Sequence, residues 1–153
     1  AKGTGAWASG TSLNTGRNNA SGFGSTNSSQ LVTGGQTPTV TDVTELYDGS
    51  SWTEVGDLGI DRKAGFGFGS SQTAGIHAGG EEPSKSTKTE SWNGSSWTEV
   101  ADLATAVNGN IGTAAGTNTQ AMSVGGQTPA GDPGVATTEE WTVSHTLKKV
   151  TTS

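Results

Sequence analysis

The sequence contains no cysteine, so disulfides and thiolate chemistry are excluded from its fold and function. Charge is sparse as well: 14% of the 153 residues are Asp, Glu, Lys or Arg, and only 8 are basic. A net charge of −6 and a pI near 4.7 leave no clustered cationic surface for phosphate backbones, so no nucleic-acid partner is expected. The basic pairs Arg62-Lys63 and Lys148-Lys149 read as solvated surface. No apolar run approaches the roughly 20 residues of a spanning helix, and no charged-then-apolar leader pattern is present, so membrane insertion is not expected. A sustained 3.6-residue apolar period is missing too, which leaves little room for helix.

What is present is a polar, glycine-rich background with widely spaced large anchors. The chain carries 25 Gly, five Trp and three Phe, and only 29% of its residues are hydrophobic. Many short strands that each contribute one or two aromatics to a core would use such a composition, so the fold class expected is all-β.

The anchors recur. Trp7, Trp52 and Trp97 are separated by 45 and 45 residues, as are Leu13, Leu58 and Leu103, and Gly22, Gly67 and Gly112. The glycine pairs Gly34-Gly35, Gly79-Gly80 and Gly125-Gly126 step by 45 and then 46. A Thr-Glu-x-aromatic element ends on Tyr47, Trp92 and Trp141, stepping by 45 and then 49, so most of the length drift follows the glycine pairs. Each unit reads as four strands. The first surrounds Gly22-Phe23-Gly24 and Gly67-Phe68-Gly69; the second runs over Gln30–Thr33, Gly75–Ala78 and Ala121–Val124. The third carries Thr-Glu-x-aromatic, and the fourth is Trp52-Thr53-Glu54-Val55, repeated as Trp97-Thr98-Glu99-Val100. Asp48-Gly49 and Asn93-Gly94 separate the third and fourth strands with dipeptides that tolerate the positive φ of a tight hairpin.

Paired glycines closing a strand, an aromatic about a dozen residues later, a Trp five residues beyond it, and then Leu58 and Arg62 resemble the kelch repeat. The resemblance implies four-stranded propeller blades, about three of them here, set radially around a channel. It implies nothing specific about activity, because propellers host many functions. Departures exist. The 45-residue period is shorter than the usual kelch repeat, Val107 stands where Arg17 and Arg62 stand in the other units, and no hairpin dipeptide or second Trp follows Trp141. The Trp-Asn-Gly-Ser-Ser-Trp and Thr-Glu-Glu-Trp elements are also similar to repeats in structural proteins of marine bacteriophages.

Cut by strand, residues 1–9 supply the last strand of a preceding blade, 10–55 and 56–100 two repeats, and 101–153 an incomplete third with an exit strand. Propellers close with four to eight blades. The chain is therefore expected to be part of a longer protein, to complete a ring with other copies (two giving six blades), or to pack into an open β assembly with other structural proteins.

Residues that recur in register are expected to be scaffold. Trp7, Gly34, Gly35, Tyr47, Trp52, Gly79, Gly80, Trp92, Trp97, Gly125, Gly126 and Trp141 are the structural anchors, and Glu45, Glu90 and Glu139 belong with them rather than with acid–base chemistry. Of the two histidines, His77 reads as a polar surface group. No His, Cys or carboxylate spacing suggests a metal site, and no nucleophile elbow or phosphate loop occurs, so no catalytic residue, metal or cofactor is expected. Binding is expected on the loops after the glycine pairs and at the connections between blades: Arg17, Gln36, Arg62, Lys63, Glu81, Glu82, Lys85, Gln127 and Asp132, with Arg17, Arg62 and Glu81 on one rim. The function expected is a non-enzymatic structural or fibre-type protein of a virion, acting by assembly and attachment to a host-surface glycan. The alternative is a secreted or cytoplasmic kelch module that binds a protein or glycan.

Overall fold

The computed structural model describes residues 4–112, 117–130 and 134–143. Among them there is no helix; thirteen strands run in order as β1 (Ser21–Thr26), β2 (Ser29–Thr33), β3 (Gln36–Thr37), β4 (Thr39–Val40), β5 (Thr44–Tyr47), β6 (Trp52–Glu54), β7 (Phe66–Ser71), β8 (Ala74–Ala78), β9 (Thr89–Trp92), β10 (Trp97–Glu99), β11 (Ile111–Gly112), β12 (Gln120–Val124) and β13 (Thr138–Thr142). The protein is all-β and antiparallel throughout. Sheet one is ordered β1-β2-β5-β6, sheet two β7-β8-β9-β10, and sheet three β11-β12-β13, with β3 and β4 forming a small separate ribbon. Among the described residues these sheets do not close into a ring.

Local chemistry accounts for the meander. At the third hairpin of sheets one and two, the Asp48 carboxylate accepts the amides of Ser50 and Ser51, both at 2.8 Å, and the Asn93 side chain accepts those of Ser95 and Ser96 at 2.9 and 3.0 Å. These bonds hold the Asp48 carboxyl near pKa 2, below its ordinary value. Gly49 and Gly94 then take φ of +97° and +99°. Register follows the turns: Tyr47 lies opposite Trp52, and Trp92 opposite Trp97.

Sheets one, two and three stack face to face in chain order. Phe23 and Leu31 of sheet one pack on Trp92 of sheet two, with Leu46, Val55 and Trp97 beside them. On the other side of sheet two, Phe66, Phe68, Ile76 and Ala78 meet Leu103, Ala121 and Trp141. Strand β8 is consequently buried on both faces, with Gly75 and His77 toward sheet one and Ile76 and Ala78 toward sheet three. Gly75 is needed there, since a Cβ would enter the Phe23 ring.

The glycine pairs stitch neighbouring sheets. Gly34, Gly79 and Gly125 have φ between +64° and +67°, and Gly35, Gly80 and Gly126 between +103° and +106°. This left-handed turn aims the second amide at the next unit: Gly35 N–H donates to the Arg62 carbonyl at 2.9 Å and Gly80 N–H to that of Val107 at 2.8 Å. Returning bonds run from Ala64 N–H to Asn19 and from Gly109 N–H to Ala64, at 2.8 and 2.7 Å.

Trp7 departs from expectation. It is fully exposed, and residues 4–10 form no strand. Trp52 and Trp97 are held because Tyr47 and Trp92 lie opposite them, whereas among the described residues no strand of the same chain is paired with Trp7. The expected exit strand beyond Val143 lies outside the described residues.

Substituting Gly80→Ala should lower stability by about 1–2 kcal/mol, because an L residue resists this φ and its Cβ would stand 2.9 Å from the Lys63 carbonyl oxygen. Urea unfolding of the two proteins measures the difference; equal midpoints would show that the turn accepts an L residue without cost.

Candidate functional site

Two of the expected rim residues are turned inward. The Arg17 guanidinium pairs with Glu45 and donates to the Val43 and Gly34 carbonyls at 2.8 and 3.4 Å. Arg62 pairs with Glu90 and donates to Gly79 at 3.4 Å and to Lys88 through a bond of 2.6 Å. The side chains of both pairs are at most 5% exposed. Each carboxylate also accepts a backbone amide from the connection into its unit, Asn14 to Glu45 at 2.9 Å and Gly59 to Glu90 at 2.7 Å. Arg17 and Arg62 therefore clamp the glycine-pair turn to the third strand, and neither is available on the loop face. Burial draws the Arg62 pKa below its ordinary value, opposed by the charge of Glu90 beside it.

Unit three lacks the arginine. Val107 is buried in its place, and Glu139 accepts the amides of Ala104 and Thr105 at 2.7 and 3.0 Å. The recurring glutamates are thus structural caps, each held by a neighbouring connection.

His77 is also buried rather than on the surface, at 1% exposure. Its Nδ1 lies 3.0 Å from Ser21 Oγ and its ring stands edge-on to Trp97, which places it inside the interface of sheets one and two. Burial, reinforced by the positive charge of Arg62, holds its pKa well below the usual 6.5.

The remaining loop residues do gather on one face. Backbone bridges join Asn18 to Gln36, Lys63 to Glu81 and Asn108 to Gln127, one in each unit. Side chains link the bridges crosswise: Lys63 Nζ donates to Gln36 Oε1 at 3.2 Å, and Asn108 Nδ2 donates to Glu81. Lys85 Nζ reaches the Thr128 carbonyl at 2.8 Å, tying the loop of unit two to that of unit three. Glu82 and Gln127 are exposed, whereas Gln36, Lys63, Glu81 and Lys85 are half-buried. Asp132 lies outside the described residues. Asn18 and Asn108 were not among the residues expected here, although they share the 45-residue register with Lys63. The arrangement is a row of amides with two cations, Lys63 and Lys85, and two carboxylates, Glu81 and Glu82, of balanced charge and suited to hydrogen bonding with a polar partner rather than to strong charge attraction.

A recess opens between sheets two and three. It has a volume of about 370 Å³ with its mouth, and Phe68, Ile76, Thr89, Leu103, Ser123 and Trp141 are among the residues that line it.

No protein-family model matches the chain, and no curated protein matches it. Among solved structures, one titled "Structure of YjhT" superposes with a TM-score of 0.73 over 88% of this chain at 18% identity. The likeness is one of fold. The chain spans 45% of that chain, less than half its length.

Breaking one buried pair by Arg62→Val should destabilise the protein by about 3–5 kcal/mol, because Glu90 keeps a buried charge without its cation. Adding Glu90→Gln should recover part of that loss; equal stability of single and double variants by urea unfolding would mean that the pair is uncoupled. His77 makes a separate prediction. Its folded pKa lies below that of the unfolded chain, so the unfolded state binds the extra proton first, and stability should fall as pH drops below about 6.5, by at most about 1.4 kcal/mol per pH unit. Urea unfolding between pH 7.5 and 5 should show a shallower slope for His77→Ser, the residue unit three uses at this position.

Proposed function

We propose that this protein is a non-enzymatic structural component of a virion, of fibre type, built from kelch-like propeller blades that join other copies or other structural proteins. The observation that carries the reading is incomplete coverage. Sheet two is covered on both faces, while sheet three has no fourth strand among the described residues and leaves Val124 and Val143 39% and 41% exposed. Trp7 is exposed in the same way. Large apolar groups left in solvent beside an unpaired strand edge favour association. The phage-like Trp-Asn-Gly-Ser-Ser-Trp and Thr-Glu-Glu-Trp elements favour a virion as the setting, and the capped state of the recurring glutamates favours scaffold over catalysis.

A second reading is a secreted or cytoplasmic kelch module that binds a protein or glycan. The loop-face row from Gln36 to Gln127 favours it, and on a virion the same row would meet the host-surface glycan.

Sedimentation velocity at micromolar concentration should show species of at least twice 15.3 kDa. A folded particle at 15.3 kDa would remove the assembly reading. Mass spectrometry of purified virions should find the protein in fixed ratio to other structural proteins; its absence from particles, together with glycan-array binding, would leave the module reading instead.

A further inference from the structure

We infer that Trp7 of one copy docks in the cleft between sheets two and three of another, its strand adding to the edge of β13 that carries no strand among the described residues. The inference rests on the assembly reading above and names its contact.

Trp97 displays what a fourth-strand tryptophan does in this fold. It lies in register opposite Trp92, with ring centroids 5.3 Å apart. It meets Phe23 edge-on at 6.2 Å, stands beside His77, and donates its indole N–H to Thr44 Oγ1 at 3.0 Å. One unit on, the residues matching these four are Trp141, Phe68, Ser123 and Thr89. All four line the single cleft described above. The Thr89 hydroxyl donates to the Thr87 carbonyl at 3.4 Å, which leaves its lone pairs free to accept an indole N–H. Among the described residues nothing fills the position of Trp97 in this unit.

Trp7 is the matching side chain. It precedes Trp52 by the same 45 residues that separate Trp52 from Trp97, and it is fully exposed. Paired with β13 in the register of β10 on β9, Trp7 of the second copy would face Trp141, Ala8 would face Glu140 and Ser9 would face Glu139. The uncharged run Gly5-Ala6-Trp7-Ala8-Ser9 brings no carboxylate against the two glutamates of that edge.

The path onward is also laid. Asn14 N–H caps Glu45 as Gly59 N–H caps Glu90, so the connection after the docked strand leads into the second copy's own sheet one. That sheet then lies against sheet three of the first copy. Gly126 occupies the place of Gly35 and Gly80, whose amides reach the carbonyls of Arg62 and Val107; the next acceptor in the series is the Arg17 carbonyl of the second copy. Two copies joined in this way have about the length of the single solved chain, of which the segment matched here makes 45%.

The test uses the 153-residue chain, whose sequence contains no cysteine. Ala8→Cys and Glu140→Cys are made in separate preparations and then mixed under oxidising conditions. A disulfide-linked pair that forms between the two variants supports the docking. Trp7→Ala should weaken association by at least tenfold in sedimentation equilibrium, as truncation of a buried aromatic anchor does, while leaving urea unfolding of the dilute protein unchanged. An unsubstituted chain that is only monomeric overturns the docking and the assembly reading together. Oligomers that are indifferent to Trp7→Ala and give no cross-link overturn the docking alone. A disulfide that forms only within a single chain carrying both cysteines assigns the cleft to the chain's own Trp7 and overturns the second copy as its occupant.

Discussion

Each of the three large sheets in this protein buries its apolar side chains only against a neighbouring sheet. The strands are too short and too polar to make a core within one sheet; units one and two each contribute an aromatic pair, one or two Phe and a few aliphatics, unit three contributes Trp141 and aliphatics, and these bury only against a neighbouring unit. Sheet two shows the completed state. Its strand β8 places Ile76 and Ala78 on one side and Gly75 and His77 on the other, and all four are buried. Glycine at position 75 is part of that state, because the Phe23 ring occupies the space its side chain would take.

The buried Arg–Glu pairs serve the same constraint at the rim. A glycine-pair turn exposes carbonyls inside the fold, and the guanidinium fills that need in units one and two with a planar fork of donors. The glutamate closes the circuit and accepts an amide from the incoming connection. Unit three reaches a different solution: Val107 supplies apolar packing, and Glu139 takes two amides in place of the cation. Buried ion pairs add little net stability over well-packed apolar groups, so both solutions can occupy equivalent places in one fold. What the pair adds is direction, since the cation and the acceptors must meet in one geometry.

The strands, the hairpin turns and the unit length could be read from the sequence because each is a property of chain spacing: two-residue turns, glycines of positive φ, aromatics at 45-residue intervals. Burial was less legible. Arg17 and Arg62 sit between units in the chain, where a loop is expected, but their side chains reach a glutamate 28 residues away in sequence. His77 is polar and occurs once, which fits a surface group; it is buried because its strand is the one with sheets on both sides. Trp7 errs in the opposite direction. Its register marks it as an anchor, and register alone says nothing about whether the partner strand is present in the same chain.

The stitch between sheets also bears on the form an assembly would take. Sheets one and two, and sheets two and three, are joined by the same two backbone bonds, from the second glycine forward and from the residue after the bridge back. Identical stitches impose similar rotations, so a junction between copies that reused them would turn the chain by the same amount as a junction within it. Such a head-to-tail contact is heterologous, and whether it closes into a ring or runs on as a filament is decided by the rotation per sheet rather than by the number of sheets in one chain. In such an assembly the rotation carried by each 45-residue unit, rather than the length of the 153-residue chain, would set the size.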